Sequence, residues 1–214
     1  MLVQDLMTPN VISIGPDQSV AEAGELMTSR RIRHLPVVED GRLLGLVTRT
    51  SLAAALPGLG LGPGLTRFEH NYLTANTSVR EVMIRDPALG TGDMPAEEAA
   101  RVMNVNRISS LIIVQDGDAV GIITDTDIFE AMLELLGARQ PGVRLALHIP
   151  DRPGELAKVS GAIGAAGGNI TALGGWPVRE GTWGTVLKVQ NLGADAVLSA
   201  VSGLPGVVVA DIRG

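Results

Sequence analysis

The stretch "GIITDTDIF", Gly121–Phe129, sets two carboxylates, Asp125 and Asp127, among two threonines at the end of an apolar run. Groups this close can do three kinds of work. They can accept charge-assisted hydrogen bonds from a ligand. They can cap the first turn of a helix, where negative charge is favoured. They can also offer oxygen to a hard cation such as magnesium, for which two acids one residue apart are a thin ligand set. An earlier stretch, "GLVTRTSLA", Gly45–Ala53, keeps the glycine and both threonines but has Arg49 and Ser51 in place of the acids.

Other chemistry is missing from the sequence. There is no cysteine, which removes disulfides, thiolate nucleophiles and Cys-based zinc sites. The three histidines, His34, His70 and His148, are not at metal-ligand spacing. There is no G-x-S-x-G and no phosphate loop ending in lysine. The Gly/Pro-rich stretch Leu56–Leu65, "LPGLGLGPGL", follows a helical pattern and reads as a flexible connection. A formal net charge of −6 gives no attraction to nucleic acid, and aromatics at 2% are too sparse for a base-stacking platform. No basic leader and no apolar run of membrane-spanning length is present, so a cytoplasmic protein without a membrane partner is expected.

The positioning elements come from a repeat. Met7/Met83, Met27/Met103, Arg31/Arg107, Leu35/Leu111, Gly45/Gly121 and Thr48/Thr124 match at a constant offset of 76 residues. Each copy reads as a short strand, a helix with three-to-four apolar spacing, two strands around an Asp-Gly turn, and a second helix after the threonine. The stretches "DLMTPNVISI", "RIRHLPVVEDGRLLGLVT" and "RISSLIIVQDGDAVGIITDTDIFEAM" resemble a CBS-domain pair, the Bateman module. The bridge "LTRFEHNYLTANTSVREVM" resembles the helix that connects such repeats.

The resemblance implies an adenosyl nucleotide in a cleft between the copies: AMP, ADP, ATP or S-adenosylmethionine. The family's Gly-apolar-apolar-Thr/Ser-x-x-Asp pattern is intact at Gly121–Asp127. It puts Asp127 on the ribose diol with Thr124 beside it. It also puts Val11 and Ile12 against the adenine, and Arg33 and His34 toward the phosphates. Ser51 cannot grip a diol in the same way, so the other cleft is expected to have lost nucleotide binding or become degenerate. Capping alone remains the plainer reading of Asp127, and the exposed end of a helix that of Arg30 and Arg31.

From Val143 onward the order is βαββαβ, the ferredoxin-like arrangement. The segments "IPDRPGELAKV" and "GGNITAL" resemble an ACT domain. The resemblance implies amino-acid binding at Asp151, Arg152, Pro153, Gly154 and Asn169. The alternatives are that such a domain only oligomerises and that Asp151 merely caps the helix.

The expected fold is thus α/β (α+β), tandem CBS repeats plus a ferredoxin-like ACT domain. The domains are repeat 1 (1–56), linker and connecting helix (57–76), repeat 2 (77–137), a short linker (138–142) and the ACT domain (143–214). The linker 137–142 is expected to act as the hinge between the halves. No catalytic module, catalytic cofactor or metal site is left over, so the expectation is a non-catalytic sensor that passes its response to the ACT domain or to a partner enzyme. A structural oligomerisation module is the alternative. A homodimer is expected, with Val20, Leu26, Val102 and Met103 supplying apolar helix faces, although some of these must serve the internal core.

Overall fold

The computed structural model describes residues 1–55 and 67–214; the connection expected at Leu56–Leu65 lies outside them. Contacts divide the chain into two compact units, Met1–Ile128 and Phe129–Gly214.

The first unit contains both repeats. Its elements are α1 (Val3–Leu6), β1 (Thr8–Pro9), α2 (Val20–Arg30), β2 (His34–Glu39), β3 (Arg42–Thr48), α3 (Arg49–Ala55), α4 (Arg67–Asn76), α5 (Val79–Val82), β4 (Leu89–Gly90), α6 (Ala96–Asn106), β5 (Ser110–Gln115), β6 (Asp118–Thr124) and the start of α7 (Asp125–Leu135). Local chemistry sets the boundaries. A reciprocal box of Ser19 and Glu22 opens α2, with Ser19 N donating to Glu22 Oε2 at 2.7 Å and Glu22 N to Ser19 Oγ at 3.2 Å. Asp40-Gly41 and Asp116-Gly117 all have positive φ, as tight hairpins between β2 and β3 and between β5 and β6 require.

The repeats exchange their first segments. Strand β1 pairs antiparallel with β6 of the other copy, Thr8 opposite Ile122 and Pro9 opposite Gly121. Ile84, the counterpart of Thr8, bridges to Leu46 in β3. The buried side chains follow the same exchange. Val3 packs in the core of Ala99, Met103, Leu111, Ile113 and Ile123, whereas Val79 and Met83 pack with Val20, Ala23, Met27, Leu35 and Val47. Each copy therefore completes its core with the other copy's N-terminal segment.

This packing revises the expected dimer faces. Val20 and Met103 are buried, at 3% and 4% exposure, and Leu26 and Val102 pack against the same two cores. An exposed apolar stripe lies on α7 and just beyond it: Phe129, Met132, Leu133 and Leu136, at one-turn spacing.

The second unit continues from α7 into β7 (Val143–Pro150), α8 (Glu155–Ala165), β8 (Asn169–Arg179), β9 (Thr182–Gln190), α9 (Ala194–Ser202) and β10 (Val208–Arg213). The sheet is antiparallel, in the order β10-β7-β9-β8. Val159 and Ile163 of α8 and Val197 and Val201 of α9 bury against Leu145, Leu147 and Leu187 of the sheet. This is the ferredoxin-like arrangement.

The expected hinge at 137–142 is packed, not free. Gln190 Nε2 donates to the Pro141 carbonyl at 3.2 Å. Gly137 is buried, and a Cβ there would lie 2.9 Å from Ala172 Cβ; one on Gly142 would lie 2.5 Å from the Val189 carbonyl oxygen. The linker is part of the second unit, and the boundary between units falls inside α7, between Ile128 and Phe129.

Candidate functional site

At the start of α7, Asp127 Oδ2 accepts from Thr124 N at 2.7 Å and Thr124 Oγ1 at 2.8 Å. The carboxylate thus caps the strand-to-helix turn and uses one oxygen for it. Repeat 1 makes the same turn without charge: Thr48 N donates to Ser51 Oγ at 2.9 Å, and Ser51 N to Thr48 Oγ1 at 2.9 Å. A serine meets the structural need. Asp127 brings a formal charge and a second oxygen, Oδ1, that takes no hydrogen bond from the described residues.

A cavity of about 1060 Å³ lies between the repeats, on the Thr48 side. Its lining includes Thr48, Pro87, Ala88, Ser109 and Ser110. The 76-residue offset carries these five onto Thr124, Val11, Ile12, Arg33 and His34, the residues singled out on the Asp127 side. The β1–β6 pairing brings the segment that leads to Val11 and Ile12 alongside the strand ending at Thr124; Ile12 is 38% exposed.

Arg33 and His34 line this cavity on the Thr48 side. Arg33 Nη2 reaches Asp125 Oδ1 at 3.6 Å, and both side chains are about half exposed, which makes this a weak pair. His34 Nε2 and Ser109 Oγ are 3.0 Å apart. Burial first, then the neighbouring Arg33, lowers the imidazole pKa from its ordinary value, against the pull of Asp125. His34 is accordingly held toward its neutral form. Among the described residues, no group of three or more His, Asp or Glu could hold a metal ion.

The second unit has a smaller cavity of about 260 Å³ at the start of α8, lined by Asp151, Arg152, Gly154, Glu155, Trp183 and Thr185 among others. Asp151, Arg152 and Gly154 come together there, whereas Pro153 and Asn169 do not line it. Gly154, at φ 89°, is the N-cap, so Asp151 does not cap the helix. Gly154 is needed for its positive φ, since a Cβ there would meet nothing.

Glu155 was not evident from the sequence. Its side chain is only 2% exposed, and Oε1 accepts from Arg152 Nε at 2.7 Å and Lys158 Nζ at 2.8 Å. These bonds, Lys158's first, hold its carboxyl below the usual glutamate range. Oε2 is buried without a partner. Acid in a helix's first turn is ordinarily solvated, and only the wrapping by residues three before and three after reveals this one.

Residues 3–58 and 79–134 match the CBS domain, more than half of the chain, and residues 143–206 match the ACT domain. The chain belongs to the CBS-domain family. It carries a CBS pair followed by an ACT domain. It is 31% identical over 126 residues to a CBS domain-containing protein, YhcV, from Bacillus subtilis, a match covering 59% of this chain and 81% of the relative. It is 30% identical over 126 residues to inosine-5'-monophosphate dehydrogenase from Thermoplasma acidophilum, covering 58% of this chain but 22% of that enzyme.

Among solved structures, the CBS pair resembles that of protein MJ0100 in complex with 5-methylthioadenosine and S-adenosyl-L-methionine (TM-score 0.51, 27% identity, 62% of this chain and 99% of that one). It also resembles a candidate acetoin utilization protein (AcuB) from Vibrio cholerae (TM-score 0.54, 28% identity, 66% and 98%). CBSX2 in complex with AMP matches at TM-score 0.50 and 28% identity, covering 62% of this chain and 96% of that one.

Proposed function

We propose that the chain is a non-catalytic sensor of the cytoplasm, of the acetoin-utilisation B type. An adenosyl nucleotide binds its CBS pair, and the ACT domain or a partner enzyme receives the response. In this reading Asp127 grips the ribose with Thr124 beside it, Val11 and Ile12 flank the adenine, and Arg33 and His34 face the phosphates. The observation that carries it is the contrast at the two pseudo-equivalent turns. Ser51 caps α3 without charge, so the charge on Asp127 exceeds what its own turn requires. Adenosyl ligands in the related CBS pairs of MJ0100 and CBSX2 support the ligand class. Among the described residues, no helix is long and apolar enough to cross a membrane.

The ACT cavity fits a zwitterion such as a free amino acid. Arg152 and the N–H groups of the first turn of α8 suit a carboxylate, and the Glu155 carboxylate, whose Oε2 has no partner, suits an ammonium. In this proposal Asp151 and Gly154 line the site, and Pro153 and Asn169 flank it.

The connecting element is α7, whose first turn holds Asp127 while its remainder belongs to the second unit. Ligand binding shifts the ACT domain only if it favours one arrangement of this helix over another. Spin labels on the CBS pair and the ACT domain should change their separation at saturating nucleotide. In the same samples the melting transition should rise, by about 2.7 kcal/mol of stabilisation at a hundredfold excess over Kd. No rise with any of the four ligands would leave an oligomerisation module; a rise without a distance change would leave a binding module with no structural output.

Assembly has its own support in the exposed apolar face of Phe129, Met132, Leu133 and Leu136. In our reading this face is covered in a two-fold homodimer, the commonest closed arrangement. Light scattering at micromolar concentration should give the mass of two chains, and Leu133→Lys should shift it toward one. A monomeric wild-type chain refutes this.

A further inference from the structure

We propose that the cleft on the Ser51 side is a second, different site: it takes a multiply charged phosphoryl anion and recognises it by charge, without a ribose grip. The cavity of about 1060 Å³ is large enough for such a ligand. Its lining carries three cations, Arg33, Arg49 and Arg107, against one carboxylate, Asp86, with the imidazole of His34 beside them. Among the described residues the Arg49 and Arg107 side chains make no ion pair or hydrogen bond, and the one partner of Arg33 is Asp125, at 3.6 Å. A cluster of unengaged guanidinium groups stands out in a chain of net charge −6.

Guanidinium groups bind phosphoryl oxygens in bidentate fashion. The other repeat differs in charge at two matching positions, although Arg31 there matches Arg107. Asp125 stands where this cleft has Arg49, and Asp127 where it has Ser51. Bulk differs as well: Ser109 and Ser110 line this cavity at the positions that Arg33 and His34 occupy in the first repeat. The smaller side chains leave the space, and Arg49 and Arg107 charge it. Ser51 adds no carboxylate to repel phosphate and none to hold a diol. Arg33 and His34 line this cavity and are also the phosphate side of the proposed nucleotide site, so the two sites share those residues and differ in Arg49 and Ser51 here against Asp125 and Asp127 there.

The probe is inorganic tripolyphosphate, which has charge but no sugar, titrated calorimetrically into the full chain with orthophosphate as comparison. The wild type should bind tripolyphosphate at one site per chain and more tightly than orthophosphate. The Arg49→Ala, Arg107→Ala double variant should lose roughly tenfold or more per arginine. Arg49→Asp, which introduces the charge of the other repeat, should abolish binding. Arg42→Ala, at the β2–β3 turn outside the lining, should change little. Asp127→Asn should leave tripolyphosphate binding intact, so failure of the nucleotide reading and failure of this one give different results. No binding by the wild type overturns the proposal. So does an equal loss in Arg42→Ala and the double variant, which would mark diffuse attraction to positive charge.

Discussion

Asp127→Asn is expected to lower the affinity for an adenosine nucleotide about tenfold or more, with almost no change in the stability of the free protein. The two readouts separate because the residue has two duties on two oxygens. Oδ2 holds Thr124 N and Oγ1, and an asparagine oxygen can do the same, since Asn and Asp cap helices about equally well. The charge and the second acceptor are lost, and hydrogen bonds to charged groups contribute about 1.5–3 kcal/mol. Ser51→Ala should show the opposite pattern. It removes the two bonds of the Ser51 hydroxyl, accepted from Thr48 N at 2.9 Å and donated to the Thr48 carbonyl at 3.0 Å, at a cost of about 0.5–2 kcal/mol in stability, and leaves nucleotide affinity near wild type. Calorimetric titration and urea denaturation of the two variants give the comparison. Unchanged affinity in Asp127→Asn would reduce Asp127 to a cap.

Gly45→Ala is expected to destabilise the first unit by about 1–3 kcal/mol, the range for forcing extra bulk into a packed site. A Cβ on Gly45 would lie 2.6 Å from the Ile84 carbonyl oxygen and 3.0 Å from Met83 Sδ. That carbonyl accepts from Leu46 N at 2.9 Å, and Ile84 N donates to Leu46 O at 2.8 Å. The methyl group cannot be placed without pushing the exchanged segment off β3 and stretching both bonds. Gly121→Ala meets only the flexible Met7 side chain and should cost less. Gly24→Ala, mid-helix with nothing within 4 Å, is the control and should not destabilise. Urea denaturation of the three variants checks the order; equal effects at Gly45 and Gly24 would refute the crossing-strand argument. The motif's opening glycine is thus explained by the strand that passes over it.

The elements and the repeat were legible because hydrophobic period and turn chemistry are local. The spacing of Val20, Ala23 and Met27 reports a buried helical face whatever it faces. For the same reason the exchange of first segments was not legible. Val3 and Val79 are apolar in matching positions, and the two copies offer them equivalent cores. Which of Val20, Leu26, Val102 and Met103 serve the core and which a dimer face was open for the same reason, because an apolar stripe does not say whether its partner is its own sheet or another chain; Val20 and Met103 serve the core. The charge difference between the clefts could be read from Arg33, Arg49 and Asp125. The cavity depends on bulk, and the room that Ser109 and Ser110 leave is not reported by charge patterning. Glu155 was hidden because a glutamate after glycine at a helix start looks solvated until Arg152 and Lys158 close over it.

The exchanged segments also say something about ancestry. A protein made of one such repeat would carry a first strand it could not use and a core it could not finish. It could complete itself only by trading segments with a second molecule, as a symmetric pair with two identical clefts. Joining the copies in one chain turns that trade between molecules into an intramolecular one, held at high effective concentration by the connection. It also releases the clefts from identity. While the partners are copies, an aspartate gained at one turn is gained at both; once fused, one turn can keep Asp127 and the other drift to Ser51. Duplication would then have done more than stabilise the exchange: it let a symmetric object acquire two sides.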